Sequence, residues 1–358
     1  MKIERIETIV LTCPWGPAEE GVTRRWPLQL IYADNGLCGI GRGGDVGLIE
    51  REFAPLLIGE DPRSTTRLWQ QMYESAWRFR GPGRAAMVTI GALDVALWDL
   101  KGKACGEPVW RLLGGYRDRV PAYADGIGYN ADLTAEDVAG LVRNHVELGY
   151  EAVKFHLTVP DPDLAVEKAR LSREALGPDK RLMVDVHRMW PGPLAVEMAR
   201  RFAPYDLYWI EEPVYADDEP GTMRMVRDAA NALIAGGEGE PTLYGAHRLV
   251  VEGGLQVVQT DILVGGGFTG LMRIAAMAAS HHVPVSPHGA SFPEINCHLV
   301  AAVSNGLIVP ACPHTEPYQI WSQLYDPPFQ VEGGEIAMSD APGLGLELNE
   351  SFVSDHRA

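Results

Sequence analysis

No stretch of this chain is apolar for long enough to cross a bilayer, since none reaches the roughly 20 residues that a spanning helix needs. Basic runs are missing too: 31 lysines and arginines face 48 aspartates and glutamates, a formal charge of −17. Neither a membrane nor a nucleic-acid partner is expected of such a chain. The five cysteines, Cys13, Cys38, Cys105, Cys297 and Cys312, include no C-x-x-C and follow no pairing rhythm. That excludes a disulfide scaffold and suits a reducing compartment. The opening MKIERIETIVLTCPW alternates charged and apolar residues as a strand does, unlike a secretory leader. The expected setting is the cytoplasm. An acidic exterior also repels acidic small molecules, so an acidic substrate would need a local metal or a Lys/Arg cluster.

What the chain has is apolar mass: 358 residues, 46% hydrophobic, enough for a sizeable core and more than one domain. IERIETIVL and LQLIYADNGLCGIG alternate like antiparallel strands, the second broken by the hairpin signal DNG. Helical periods follow in LIEREFAPLL, TTRLWQQMYESAW and AAMVTIGALDVALWDLKGKAC. From RVPAYADGIG the rhythm changes. Short apolar strands (YEAVKFHLT, LMVDVHRMW, DLYWIEEP, ALIAGGE, LQVVQTDIL, VPVSPHG, GLIVPAC) now alternate with amphipathic helices, which implies parallel α/β architecture. Eight such strands suggest a closed barrel. The expected division is 1–118, 119–325 and a tail, 326–358, that returns to the first part. GIGRGG (Gly39, Gly41, Gly44) fits G-x-G-x-x-G but follows a hairpin instead of opening a βαβ unit, so turn glycines are the expectation there.

Polar residues recur at the strand ends. Lys154 and His156 close the second strand, Asp185 and His187 the third, Glu211 the fourth, Glu238 the fifth, Asp261 the sixth and His288 the seventh. From His156 through Asp185, Glu211, Glu238 and Asp261 to His288 the steps are 29, 26, 27, 23 and 27 residues, each close to one βα unit of about 31 residues. C-terminal strand ends converge on one mouth of a barrel, where active sites lie. In VDVH, Asp185 and His187 are two apart, so a strand would point them the same way. Taken alone they read equally as a satisfied polar pair. Three carboxylates on adjacent strands, Asp185, Glu211 and Glu238, repel one another unless a cation joins them. An all-oxygen set points to Mg2+, with Mn2+ as the alternative, over Zn2+. Glu211 and Glu212 in WIEEPV could otherwise belong to a solvated loop. Lys154 is placed to neutralise a substrate carboxylate. Asp261 beside His288 is the pairing a general base requires, though such a pair can also be structural. His156 and His187 flank the metal from the other side.

These motifs resemble the mandelate racemase subgroup of the enolase superfamily along essentially the whole chain. GALDVALWDLKGKACGEPVWRLLGG resembles its long helix and hinge; VDVH, WIEEP, IAGGE, QTDILVGGGFTG and VSPHG resemble successive strand ends; PGLGLELN resembles the closing segment. The resemblance implies an α/β protein, a modified (β/α)7β TIM-like barrel under an α+β capping domain. It implies Mg2+ on Asp185, Glu211 and Glu238, and a base formed by His288 with Asp261. The shared step is removal of the proton α to a carboxylate. KFH departs from the K-x-K of racemases, placing His156 where they carry a lysine, and the last strand lacks a Glu that Glu316 would have to replace. DVH resembles galactonate dehydratase and related enzymes, in which that His protonates a departing hydroxyl. The expectation is an acid-sugar dehydratase, a homo-oligomer acting on a small molecule, with a 2-hydroxy-acid racemase or epimerase as alternative. A non-catalytic carboxylate binder is the third reading, disfavoured by the intact His288–Asp261 pair. By the same resemblance, the capping loops bearing Trp15, Arg24, Arg25, Arg78 and Arg80 would contact the far end of the substrate.

Overall fold

In the computed structural model, the structure describes residues 1–14, 23–80, 83–159, 161–216, 220–312 and 322–358, the side chains of 14 and 78–80 excepted. Trp15 and Glu316 lie outside the described residues, as do the side chains of Arg78 and Arg80.

The alternating N-terminal segments form an antiparallel sheet, β1 (Ile3–Pro14), β2 (Thr23–Ala33) and β3 (Cys38–Arg42). Two helices cover it, α1 (Thr65–Arg80) and α2 (Arg84–Cys105), the second ended by Gly106 in the left-handed region. α2 is buried along most of its length because it has neighbours on several sides. β3 lies on one side, and a barrel helix, α8 (Gly267–Ser280), on another. Gly39 and Gly41 make the first contact possible: a Cβ at either would stand 2.1 or 2.2 Å from the α2 carbonyls of Ala96 and Ala92. They are thus packing glycines and not turn glycines, a correction to the expectation; Gly44, just past β3, has a positive φ of 92 that favours glycine.

The second part is a barrel of parallel strands, β4 (Arg119–Ile127), β5 (Ala152–His156), β6 (Arg181–Asp185), β7 (Leu207–Glu211), β8 (Leu233–Gly236), β9 (Val257–Val258) and β10 (Val309–Ala311). The ring closes as β10 pairs β4, and as Val285 bridges Val258 on one side and Gly306 on the other. Seven helices are interleaved: α3 (Ala135–Glu147), α4 (Pro162–Leu176), α5 (Gly192–Phe202), α6 (Gly221–Ala229), α7 (Leu243–Val251), α8 (Gly267–Ser280) and α9 (Pro293–Ala302). Strand alternation sorts the side chains. Val153 and Phe155 of β5 face the helices, whereas Ala152 joins Tyr123, Met183, Trp209, Ala235, Val257 and Ile308 in a plug filling the barrel interior. One inward residue further along each strand, directly above that plug, come Lys154, Asp185 and Glu211.

The tail first pairs β11 (Glu335–Ala337) antiparallel with the start of β4. It then runs along α2, where Asp99 accepts from the backbone N–H of Leu344 at 2.8 Å, and α10 (Glu350–His356) packs on β1.

Candidate active site

Parallel register brings His156, Asp185 and Glu211 abreast at the C-terminal ends of β5, β6 and β7. Lys154 lies among buried carboxylates, 2.7 Å from Glu211 Oε1, 3.5 Å from Asp185 Oδ2 and 3.6 Å from Asp125 Oδ2. Burial disfavours its charge, but the surrounding acidic groups, Asp125 foremost, outweigh that and raise the ammonium well above its ordinary pKa. Its positive charge is thereby stabilised. The carboxylates remain in excess. Burial pushes Glu211 up to about 8, with the Asp185 charge adding to it and Lys154 opposing. Burial works the same way on Asp185, yet Lys154 and His156 hold that carboxyl well below its ordinary range. Glu211 Oε2 also accepts from Gln259 Nε2 at 2.7 Å and Trp209 Nε1 at 3.0 Å, which fixes the carboxylate at the mouth.

His187 meets Asp185, though not by strand alternation as expected. β6 ends at Asp185, and His187 adopts φ 52, within the left-handed region. The turn folds His187 back, its backbone N–H donating to Asp185 Oδ1 at 2.9 Å. Its exposed ring lies 2.9 Å from His156 through Nε2. His156 itself is fully buried, its Nε2 against Asp125 Oδ1 and its ring stacked under Tyr129 at 3.9 Å. His187 therefore faces the opening, with His156 and Asp125 behind it.

Across the mouth, Asp261 Oδ2 holds His288 Nδ1 at 2.9 Å, and Leu263 N–H and Val264 N–H fix the other Asp261 oxygen. His288 Nε2 lies 3.1 Å from Glu238 Oε2. Burial disfavours the imidazolium, but Glu238 and then Asp261 outweigh it and raise His288 to about 10.

Asp185, Glu211 and Glu238 supply the oxygen donors that suit a hard divalent cation. Three buried carboxyls crowd one ammonium, an excess of acidic groups that such a cation would let ionise together, so the donor set fits. Glu238 is the member engaged elsewhere, on His288. The one group of potential ligand atoms within 4.8 Å of one another, among the described residues, is His156, Asp185 and His187. It is poorly suited to a cation: the 2.9 Å contact between the two imidazoles needs a proton between them, so both lone pairs cannot face one ion.

Of the capping-loop residues, Arg24 and Arg25 are exposed on β2. Arg24 shares a sheet face with Trp26, whose ring meets Phe292, four residues beyond His288, at 6.5 Å. Arg25 is on the opposite face. Asp125, Gln259, Arg188 and Glu212 belong to the mouth and were not expected.

Comparison with known proteins agrees with the fold. Residues 23–114 match the family described as mandelate racemase / muconate lactonizing enzyme, N-terminal domain, and residues 137–352 the enolase C-terminal domain-like family. The chain is 34% identical to a 3,6-anhydro-alpha-L-galactonate cycloisomerase of Streptomyces coelicolor, over 84% of this chain and 81% of that one. It is 31% identical to a D-galactonate dehydratase of Pectobacterium atrosepticum, over 92% and 90%. A mandelate racemase/muconate lactonizing enzyme from a marine actinobacterium, solved in complex with magnesium, superimposes with a TM-score of 0.90 at 30% identity, covering 100% of this chain and 99% of that one. With an α+β cap over a (β/α)7β barrel, and with both halves matched, the chain belongs to the mandelate racemase subgroup of the enolase superfamily.

Proposed function

We propose that the protein is a Mg2+-dependent dehydratase of acid sugars, converting a 2,3-dihydroxy acid into a 2-keto-3-deoxy acid. The observation that carries this is the pair of imidazoles on opposite sides of the carboxylate mouth, His288 backed by Asp261 and His187 backed by His156. Asp185, Glu211 and Glu238 would hold the cation, whose chemistry is to stabilise negative charge on the oxygens of the substrate carboxylate. Were Glu238 to hold the cation, it would no longer support the His288 charge, and His288 would return toward the neutral form a base requires. His288 Nε2 then takes the α-proton, while Asp261 holds Nδ1–H and fixes the tautomer. Lys154 offers its positive charge to the substrate carboxylate. His187 gives a proton to the β-hydroxyl, which leaves as water, and the enol tautomerises to the keto acid.

Two observations bear on the alternatives. Racemisation needs a second base facing the substrate. His156 is buried under Tyr129, and Lys154 is enclosed by carboxylates as a strongly held cation, so neither is poised for that task. The likeness to a cycloisomerase supports a closer variant: a 3,6-anhydro acid carries a ring ether oxygen β to the carboxylate, and the same elimination would open the ring without loss of water. Incubation with a library of aldonic, aldaric and anhydro-sugar acids, with Mg2+ and with EDTA, tests both. A 2-keto acid lighter than its substrate by one water marks the dehydratase, and a product of unchanged mass the cycloisomerase. Turnover undiminished in EDTA would defeat both readings.

A further inference from the structure

WIEEPV carries two glutamates, and the metal reading uses only the first. We propose that Glu212 is a positioning residue that sets the proposed metal ligand Glu238 and the His187 turn together; the inference rests on that metal reading. Glu212 is 1% exposed, which rules out the solvated loop. Its Oε1 accepts the backbone N–H of Gly237 at 2.7 Å and of Glu238 at 3.3 Å. Arg188 grips the same carboxylate with both prongs, Nη2 to Oε1 at 2.9 Å and Nε to Oε2 at 2.5 Å. The main chain repeats the link: Arg188 N–H donates to Glu212 O at 2.8 Å, and Glu212 N–H to Ala235 O at 3.0 Å. One side chain thus ties together the segments that follow β6, β7 and β8.

The local backbone shows how firmly this is imposed. His187, Arg188 and Glu212 all lie at positive φ, 52, 57 and 45, conformations that side chains other than glycine hold only when their surroundings dictate them. Glycines on both sides of Glu238 leave room for the pair. A Cβ at Gly236 would come within 3.1 Å of Glu212 Oε1, and one at Gly239 within 3.1 Å of Arg188 Nη1. A buried ion pair is a poor device for stability alone, since well-packed apolar residues do as well. Apolar residues cannot, however, hold the two amides that aim Glu238.

The test is Mg2+ affinity, measured by titration calorimetry with the metal alone on the full chain, which needs no substrate. Glu212→Gln keeps the size and one acceptor but turns an amide NH2 toward Arg188. It should weaken Mg2+ binding by about 10- to 100-fold, the usual effect of losing a group that orients a metal ligand. Arg188→Lys, which cannot make the two-pronged bond, should lower affinity in the same direction and serves if the first variant fails to fold. A purely structural role would lower the melting temperature of the metal-free protein and leave the affinity of the folded chain unchanged. Unchanged affinity in the folded variants, with wild-type binding intact, overturns this inference alone. Absence of Mg2+ binding by the wild type overturns the metal reading and the inference with it.

Discussion

At the scale of single residues, the mouth is written in charge states. Glu211, pushed to about 8 by burial with Asp185 beside it, is mostly protonated at pH 7 in the metal-free chain. Binding of Mg2+ must then displace a proton, and affinity should rise as pH passes through about 8. Calorimetric titration at pH 7 in two buffers of different ionisation enthalpy should give different apparent heats; equal heats would contradict the assignment. The two imidazoles at the mouth, His288 and His187, make a separate prediction. His288→Asn should lose both α-proton exchange in D2O and product. His187→Asn should still exchange that proton while forming keto acid about 10²–10⁴-fold more slowly, the usual worth of a positioned acid. Clean inversion at the α-carbon without keto acid would instead favour a racemase. Much of this site was legible because its residues recur once per strand. Asp125 obeys the same rule, 29 residues before Lys154, and was open to the same reading. Gln259 and Glu212 were not: an amide next to a strand end carries no signal, and the second of two adjacent glutamates is expected to point out of the barrel. Strand alternation was the wrong ground for pairing His187 with Asp185, since a left-handed turn returns it there.

At the scale of elements, long periodic segments were read well and contacts between them were not. The seventh strand shows the limit. VPVSPHG looks like the others, but Pro284 and Pro287 stand on either side of Val285 and lack the N–H a ladder needs, so a single bridging residue remains. The glycines of β3 show another, because nothing local distinguishes a packing glycine from a turn glycine. Gly41→Ala should destabilise the protein by roughly 1–3 kcal/mol, as overpacking against backbone does, since its Cβ would lie 2.2 Å from the carbonyl oxygen of Ala92. Gly140→Ala is the contrast. It lies within α3, where the Cβ would meet nothing nearer than Arg143 Nη2 at 3.8 Å, and should stabilise by about 1 kcal/mol through helix propensity. Thermal melts of the two variants should move in opposite directions; an unshifted melt for Gly41→Ala would show that the β3–α2 approach is not tight.

At the scale of the whole molecule, the question is how the N-terminal sheet and helices are joined to the barrel. Direct polar contacts do it. Trp69 Nε1 donates to Gly266 O at 2.6 Å, buried Arg42 pairs with Glu294 at 2.5 Å, and Asp94 of α2 accepts from both the N–H and the hydroxyl of Thr269, at 2.8 and 2.7 Å. Thr269 is in the first turn of α8, so Asp94 caps a barrel helix from outside the barrel. The joint has a cost. Burial pushes the Asp94 carboxyl up to about 7, against the pull of the Thr269 bonds. In the unfolded chain it would return to about 3.8. Between those values the folded protein holds a proton that the unfolded one has lost, so this residue's contribution is fully present below about pH 4 and falls away as pH rises through about 7. Asp94→Asn keeps an acceptor for the Thr269 N–H but cannot ionise. The melting temperature of the variant, relative to wild type, should therefore climb from pH 4 to pH 7 and level off above, with every other titrating group cancelling in the comparison. A difference that stays flat across that window would mean that Asp94 remains charged in the fold. The joint would then rest on a buried anion held by the α8 N-terminus, and the capping contact would be stabilising at neutral pH.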